Sequence, residues 1–323
     1  QVDDSEQIDH AQNLLLGYSI PQPPLYSWMS WEMFQIFNTS LFTLTLLKYV
    51  LIALTFWFTW LVSGQLFQNL QTRYIATFSY LLLPSFAWHM HQGFTHTILL
   101  GLGIILSLHA LLSLKEDNSI KNYLYFGFSL GIGLMAKYSF LLFMIPLLLS
   151  AISTASFRKV IINQKILTTI GIFILIIGPH AYWLTQHYQE VFLSIDQKLK
   201  VTSDNLLFDR VKSVGQFSAA AIAFVMPFAL IFSINSWKKI FNTDNQTVKN
   251  DSSLLLNRFY LIIVVSIILL AIFISMPHFK VRWFHPLMMI FPLWILTRIE
   301  RPTLLSKSIM RWFASITAIF TVL

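Results

Sequence analysis

Long apolar stretches alternate with short polar ones along almost the whole chain after residue 40. A helix that crosses a bilayer needs about 20 mostly apolar residues, and somewhat fewer inside a bundle. By that measure ten spans are expected, at residues 41–64, 74–91, 96–114, 122–136, 139–155, 166–187, 214–236, 258–276, 283–297 and 309–323. Pro84, Pro146, Pro179, Pro227 and Pro292 fall inside them. Kinked spans of this kind are tolerated because neighbouring helices re-satisfy the freed carbonyls. The expected fold class is all-α: a polytopic membrane helix bundle with a long outer first loop, 1–40, bearing interfacial helices. A single integral-membrane domain, 1–323, accounts for the pattern. The chain opens on Gln1 and is still apolar from Ile316 to Leu323, so it reads as a piece of a longer protein.

Composition sharpens this. Of 323 residues, 56% are hydrophobic and 11% charged, against about 25% charged in an ordinary globular domain. Mean hydropathy is +0.64. A soluble chain could not hide so much apolar surface, which excludes soluble enzymes, disordered chains and secreted disulfide scaffolds. There is no cysteine, hence no disulfide, thiolate metal site or cysteine nucleophile. The net charge of +8 would suit nucleic acid. In a membrane protein it reports orientation instead, and no nucleic-acid partner is expected.

Ten spans create two alternating sets of loops. One set holds Arg73, Lys115, Lys121, Arg158, Lys159, Lys165, Lys238, Lys239, Lys249, Arg258, Arg298, Arg301, Lys307 and Arg311, 14 of the 22 Lys and Arg. The positive-inside rule assigns that set to the cytoplasm. Lys48, read as near a span end, belongs to the other set. Residues 1–40 and 188–213 then form the two long outer loops. The first has no Lys or Arg and five acids, Asp3, Asp4, Glu6, Asp9 and Glu32. The inner loops are short or loosely polar, so a site is expected on the outer face.

The outer segment is unusual. Asp3-Asp4-Ser5-Glu6 opens it, and a helical-looking stretch follows with Ile8, Ala11, Leu15 and Leu16 on one side. Gly17-Tyr18 breaks that helix, and Pro21-Gln22-Pro23-Pro24-Leu25-Tyr26 is stiff and extended. Trp28, Met29, Trp31, Met33, Phe34 and Phe37 then read as an interfacial helix. The acids are thus held just above the membrane. A second explanation is that they simply suit a helix N-terminus.

At the outer span ends stand Lys137, Lys280, Arg282, His96, His89 and His91. Charges at this level are costly unless paired or functional. A lipid-linked phosphate would need such cations, and Arg suits phosphate oxygens in a fork. Snorkelling accounts equally for Lys137 and Lys280, and interface anchoring for Arg282 beside Trp283. His89 and His91 do not share one helix face. With no third ligand evident, no metal is expected, nor any other cofactor. Gly101, Gly103, Gly127, Gly131 and Gly133 read as close helix packing. No nucleotide-binding loop or Ser-His-Asp set is visible.

Asp3-Asp4-Ser5-Glu6-Gln7, Ala11-Gln12-Asn13, Gly17-Tyr18 and Gln22-Pro23-Pro24-Leu25-Tyr26 together resemble the first outer loop of one family. That family is the polyprenyl-phosphate-sugar-dependent glycosyltransferases of the glycosyltransferase C superfamily. It includes protein O-mannosyltransferases, lipid A aminoarabinose transferases and lipopolysaccharide galacturonosyl transferases. Its pattern is an Asp-Glu pair, a Gly-Tyr and a Pro-Pro-Leu; here the pair is Asp3-Asp4. Phe94-Thr95-His96-Thr97, the small-residue run from Gly127 to Lys137-Tyr138, and Lys280-Val281-Arg282-Trp283 with Pro286 agree with later family stretches. Many relatives carry an Asp where this chain has His96.

The resemblance implies a membrane glycosyltransferase that takes sugar from a polyprenyl-phosphate donor on the periplasmic side of a bacterial inner membrane. The acceptor would be a lipid, a lipopolysaccharide or another glycan, or a protein. Asp3 would be the general base, with Asp4 or Glu6 orienting the attacking hydroxyl. Lys137 and Arg282, with Lys280 or His96, would hold the phosphate. Tyr26 and Tyr138 belong to the matching motifs and join the substrate-binding set. A transporter or flippase for a lipid or small anion is the alternative, and it would place polar groups at the bilayer midplane.

Overall fold

The computed structural model describes residues 2–18, 22–83, 90, 95–199, 215–216, 219–224, 226, 251–273 and 285–298. Every regular element among them is helical. In chain order they are α1 (Val2–His10), α2 (Leu25–Phe37), α3 (Leu41–Leu66), α4 (Leu70–Phe78), α5 (His96–Glu116), α6 (Ile120–Ala136), α7 (Leu141–Ser153), α8 (Ala155–Ile161), α9 (Ile166–Leu199), α10 (Asp251–Phe273), α11 (His285–Met288) and α12 (Phe291–Arg298), with short 3-10 turns at Ser79–Leu82 and Tyr138–Phe140.

The all-α expectation holds, and the protein is an integral membrane protein. Three described helices are long and apolar enough to cross a bilayer: Leu41–Leu66, His96–Glu116 and Ile166–Gln189. A fourth is added if Tyr138–Ser153 and Ala155–Ile161, bent by 110° at Thr154, count as one broken span. The ten expected spans are met only in part. The stretch from 74 divides between α4 and a 3-10 turn, and 214–236 and 309–323 lie largely or wholly outside the described residues. Residues 188–199, expected as loop, continue α9 as helix beyond non-helical backbone at His187 (φ −118°, ψ 17°).

Within 1–40 the acids lie on the helix rather than before it, since α1 starts at Val2 and has ended by His10. Aspartate and glutamate in a first turn suit the positive end of the helix dipole. Helix α2 buries Tyr26, Ser30 and Phe34, spaced by four, and leaves Ile36 and Phe37 exposed.

Helix α5 is the centre of the bundle. It is apolar on every side and buried nearly throughout, which is how a helix without a polar face is accommodated. It lies between α3 and α6, and α6 in turn packs on α9. Small residues set the spacing. A Cβ on Gly103 of α5 would stand 2.5 Å from the Gly133 Cα of α6. A Cβ on Gly127 would stand 2.4 Å from the Thr169 carbonyl oxygen of α9, and one on Gly131 would press on Ile176. Gly127 and Gly131, four apart, thus form a small-residue seam of the kind that brings membrane helices together. Hydrogen bonds lock the contact: Thr169 Oγ1 donates to the Tyr123 carbonyl (2.8 Å), and the His109 Nδ1–Tyr125 Oη pair (3.0 Å) joins α5 to α6.

The two ends of the bundle differ in charge. At one end Lys115 pairs with Asp251 (3.5 Å), Lys165 Nζ donates to the Asn118 carbonyl (2.6 Å), Arg298 Nη2 donates to Asn257 Oδ1 (2.8 Å), and Arg258 donates to the Ser153 carbonyl. At the other end stand α1, with its acids, and α2. Among the described residues, Lys115, Lys165, Arg258 and Arg298, which the charge division groups together, are thus tied to neighbouring segments at one end.

The glycine seams predict unequal tolerance to one methyl group. Gly103→Ala and Gly127→Ala should each destabilise the protein by roughly 1–3 kcal/mol, the usual cost of overpacking. Gly171→Ala and Gly178→Ala, where nothing lies within 4 Å of the new Cβ, should be neutral or slightly stabilising. Thermal unfolding of detergent-solubilised variants checks this. Equal melting temperatures for all four would contradict the close approach.

Candidate active site

The acid-bearing end is organised around a buried lysine. Lys48 is the eighth residue of α3, about 10 Å along the helix from its start, and is 6% exposed. Its Nζ lies 3.9 Å from Asp4 Oδ1 on α1. An ionised side chain inside a spanning helix is expensive unless paired, so the pair fixes α1 against the bundle. The sequence reading had placed Lys48 at a span end. Its position within an unbroken apolar run was the signal that could have found it.

Tyr26, at the start of α2, is fully buried, and its Oη finds no hydrogen-bond partner among the described residues. Burial, and then the Asp4 carboxylate, push its phenol well above the ordinary tyrosine range. The hydroxyl therefore keeps its proton and is available as a donor. The Tyr26 ring lies 5.4 Å from that of His96, the first residue of α5. His96 is buried, with a ring nitrogen toward the Ala136 carbonyl. Beside it the chain leaves α6 at Lys137, whose Nζ donates to Thr97 Oγ1 (3.0 Å). Asp4, Tyr26, His96 and Lys137 thus form one continuous set.

Other predicted residues fall elsewhere. Glu6 is exposed on α1. Asp3 lies on the same helix, but its side chain is outside what the structure describes, as are Lys280, Arg282, His89 and His91. Tyr138 serves a different contact. Its Oη and His180 Nε2 are 2.8 Å apart, and His180 Nδ1 is 2.8 Å from the Leu16 carbonyl. A carbonyl only accepts, so Nδ1 carries the proton and Tyr138 donates to Nε2. His180 stacks on Trp183 at 5.8 Å, and a Cβ on Gly17 would stand 2.2 Å from the Trp183 ring. Trp28 Nε1 donates to the Leu15 carbonyl (2.6 Å). These contacts clip residues 15–17 onto α9 and α2.

Nothing in the sequence pattern singles out His180 or His285. The latter is fully buried on α11, and its Nε2 is 3.5 Å from where a Gly101 Cβ would lie on α5. It stands inside the Arg282-Trp283-x-x-Pro286 motif, at a position the motif leaves open. Among the described residues no group of three or more His, Cys, Asp or Glu could hold a metal.

Residues 21–183 match the family model of the dolichyl-phosphate-mannose-protein mannosyltransferases, half of the chain. The chain belongs to this family. The resemblance read from the motifs is thereby borne out. As a member of this mannosyltransferase family, the chain is also similar to two curated proteins of Rhizobium johnstonii. It is 26% identical to lipopolysaccharide core galacturonosyltransferase RgtB over 99% of this chain and 65% of the relative. It is 25% identical to lipopolysaccharide core galacturonosyltransferase RgtA over 93% of this chain and 60% of the relative. The chain therefore spans less than two thirds of the length of these relatives. No solved structure matches it.

The clip through His180 has a measurable consequence. His180→Leu removes both hydrogen bonds and should speed amide deuterium uptake over residues 11–18, while uptake in α5 stays unchanged. Unaltered exchange over 11–18 would show that the segment is held by other contacts.

Proposed function

We propose that residues 1–323 are the membrane domain of a glycosyltransferase that moves a sugar from a polyprenyl-phosphate donor to a lipid, lipopolysaccharide or protein acceptor. The site works on the outer, periplasmic face of a bacterial inner membrane. One observation carries the reading: acid, phenol, imidazole and ammonium groups gather at the end of the bundle opposite its cationic loops. The positive-inside rule puts the cationic end in the cytoplasm. Family membership supports the reaction class, and the two relatives, both lipopolysaccharide core galacturonosyltransferases, favour a uronic acid as the sugar and lipopolysaccharide as the acceptor.

In this mechanism Asp3 takes the proton of the acceptor hydroxyl as its oxygen attacks the anomeric carbon. The bond from that carbon to the donor phosphate oxygen breaks, and polyprenyl phosphate leaves with the electron pair. Proton transfer of this kind contributes about 100- to 10,000-fold in rate. Asp4, committed to Lys48, positions the segment that carries Asp3, and Glu6 helps to orient the hydroxyl. Lys137, with Lys280 and Arg282, stabilises the charge on the leaving phosphate in a water-poor setting, where fixed charges act most strongly. The apolar spans accommodate the polyprenyl chain.

Sugar transfer in membranes carrying the complete protein tests this. Asp3→Asn keeps the side-chain shape but removes the base, since an amide cannot accept the proton near neutral pH. Transfer should fall at least 100-fold, with donor binding retained. Asp4→Asn should cost less, and exposed Asp9→Asn should be nearly silent. Near-normal turnover in both Asp3→Asn and Asp4→Asn would leave the acids as helix-end features and remove the chemical basis of the transferase reading.

A further inference from the structure

Tyr26 Oη has no hydrogen-bond partner among the described residues, and His96 has a ring nitrogen without one beyond its contact with the Ala136 carbonyl. Beside them Lys48 Nζ and Asp4 Oδ1 form an ion pair at 3.9 Å, longer than a hydrogen bond. Buried polar atoms are nearly always satisfied in a native fold, because leaving one unmade costs about 1–3 kcal/mol. Two such groups in ring contact, beside an ion pair longer than a hydrogen bond, point to a ligand that completes them.

The chemistry of the set says what kind. It offers donors, namely the Lys48 ammonium and the Tyr26 hydroxyl. It also offers acceptors, namely the Asp4 carboxylate and the second His96 nitrogen. A phosphate presents only acceptors, and Asp4 would repel it. A polyprenyl chain presents neither. A ring bearing several hydroxyls both donates and accepts, and the 3.9 Å gap between ammonium and carboxylate is wide enough for one hydroxyl to bond to both.

We infer that Lys48, Asp4, Tyr26 and His96 form a subsite for the hydroxyls of the transferred sugar, separate from the cation Lys137 that faces the phosphate. The inference rests on the transferase reading above and assigns Lys48 a substrate contact. Tyr26→Phe is the clean variant: it keeps the ring and removes an oxygen that has no protein bond to lose, so the fold should be unaffected.

The test measures binding to the complete protein in lipid nanodiscs. The probes are undecaprenyl phosphate alone and the same lipid phosphate carrying galacturonate or mannose. Tyr26→Phe should raise the Kd of a sugar-bearing lipid roughly three- to tenfold, the worth of one hydrogen bond, and leave the bare lipid phosphate unchanged. Lys48→Met should act in the same direction and more strongly. Lys137→Met should weaken both kinds of probe. Equal weakening of both probes by Tyr26→Phe, or no weakening of either, would overturn the subsite and leave those groups facing water only. Failure of the wild-type protein to bind any sugar-bearing lipid would instead overturn the transferase reading, and the subsite with it.

Discussion

A buried ammonium inside an apolar helix must find a counter-charge, and at this end of the bundle that constraint decides the arrangement. Lys48 could not be carried at 6% exposure on α3 without Asp4; removing one member of such a pair typically costs about 3–5 kcal/mol. Asp4 belongs to a nine-residue helix, too short to persist alone in water. The pair therefore converts a marginal surface helix into a docked one. The clip through Leu16, His180 and Trp183 secures the chain that follows. Between these two anchors Tyr26 is brought against His96.

Precision of this kind needs a rigid support. Helix α5 supplies it, with His96 at its first residue and the Gly103–Gly133 approach holding it against α6. Because α6 is seated on α9 through Gly127 and Gly131, the break that bears Lys137 and Tyr138 keeps a fixed position relative to His180. The arrangement at the acid-bearing end therefore depends on helix spacing set by small residues well inside the bundle.

Much of this was legible in the residues. Apolar run length gave the helical class, the glycines gave the close packing, and the family resemblance together with the span-end positions marked Asp4, Tyr26, His96 and Lys137 as candidates. Span count was less legible, because run length does not distinguish one crossing from a helix broken at Thr154 or from the short α4. Lys48, His180 and His285 escaped for a common reason. Each acquires its meaning from a neighbour far away in the sequence, Asp4 for the first, Leu16 for the second and the Gly101 face of α5 for the third. No local pattern encodes such a pairing, although an ionisable residue inside an apolar run is by itself a reason to look for one.

Family membership, the acid-rich end and the docked first helix support the proposed group transfer, and the arrangement presupposes that Asp4 and Lys48 act as a unit. A double-mutant cycle on thermal stability in detergent measures that directly, using Asp4→Asn, Lys48→Met and the two combined. The docked arrangement predicts that each single change destabilises and that the pair is non-additive, with a coupling of about 0.5–3 kcal/mol, as for groups in contact. Strictly additive effects would contradict it, because Asp4 and Lys48 would then not meet in the folded protein.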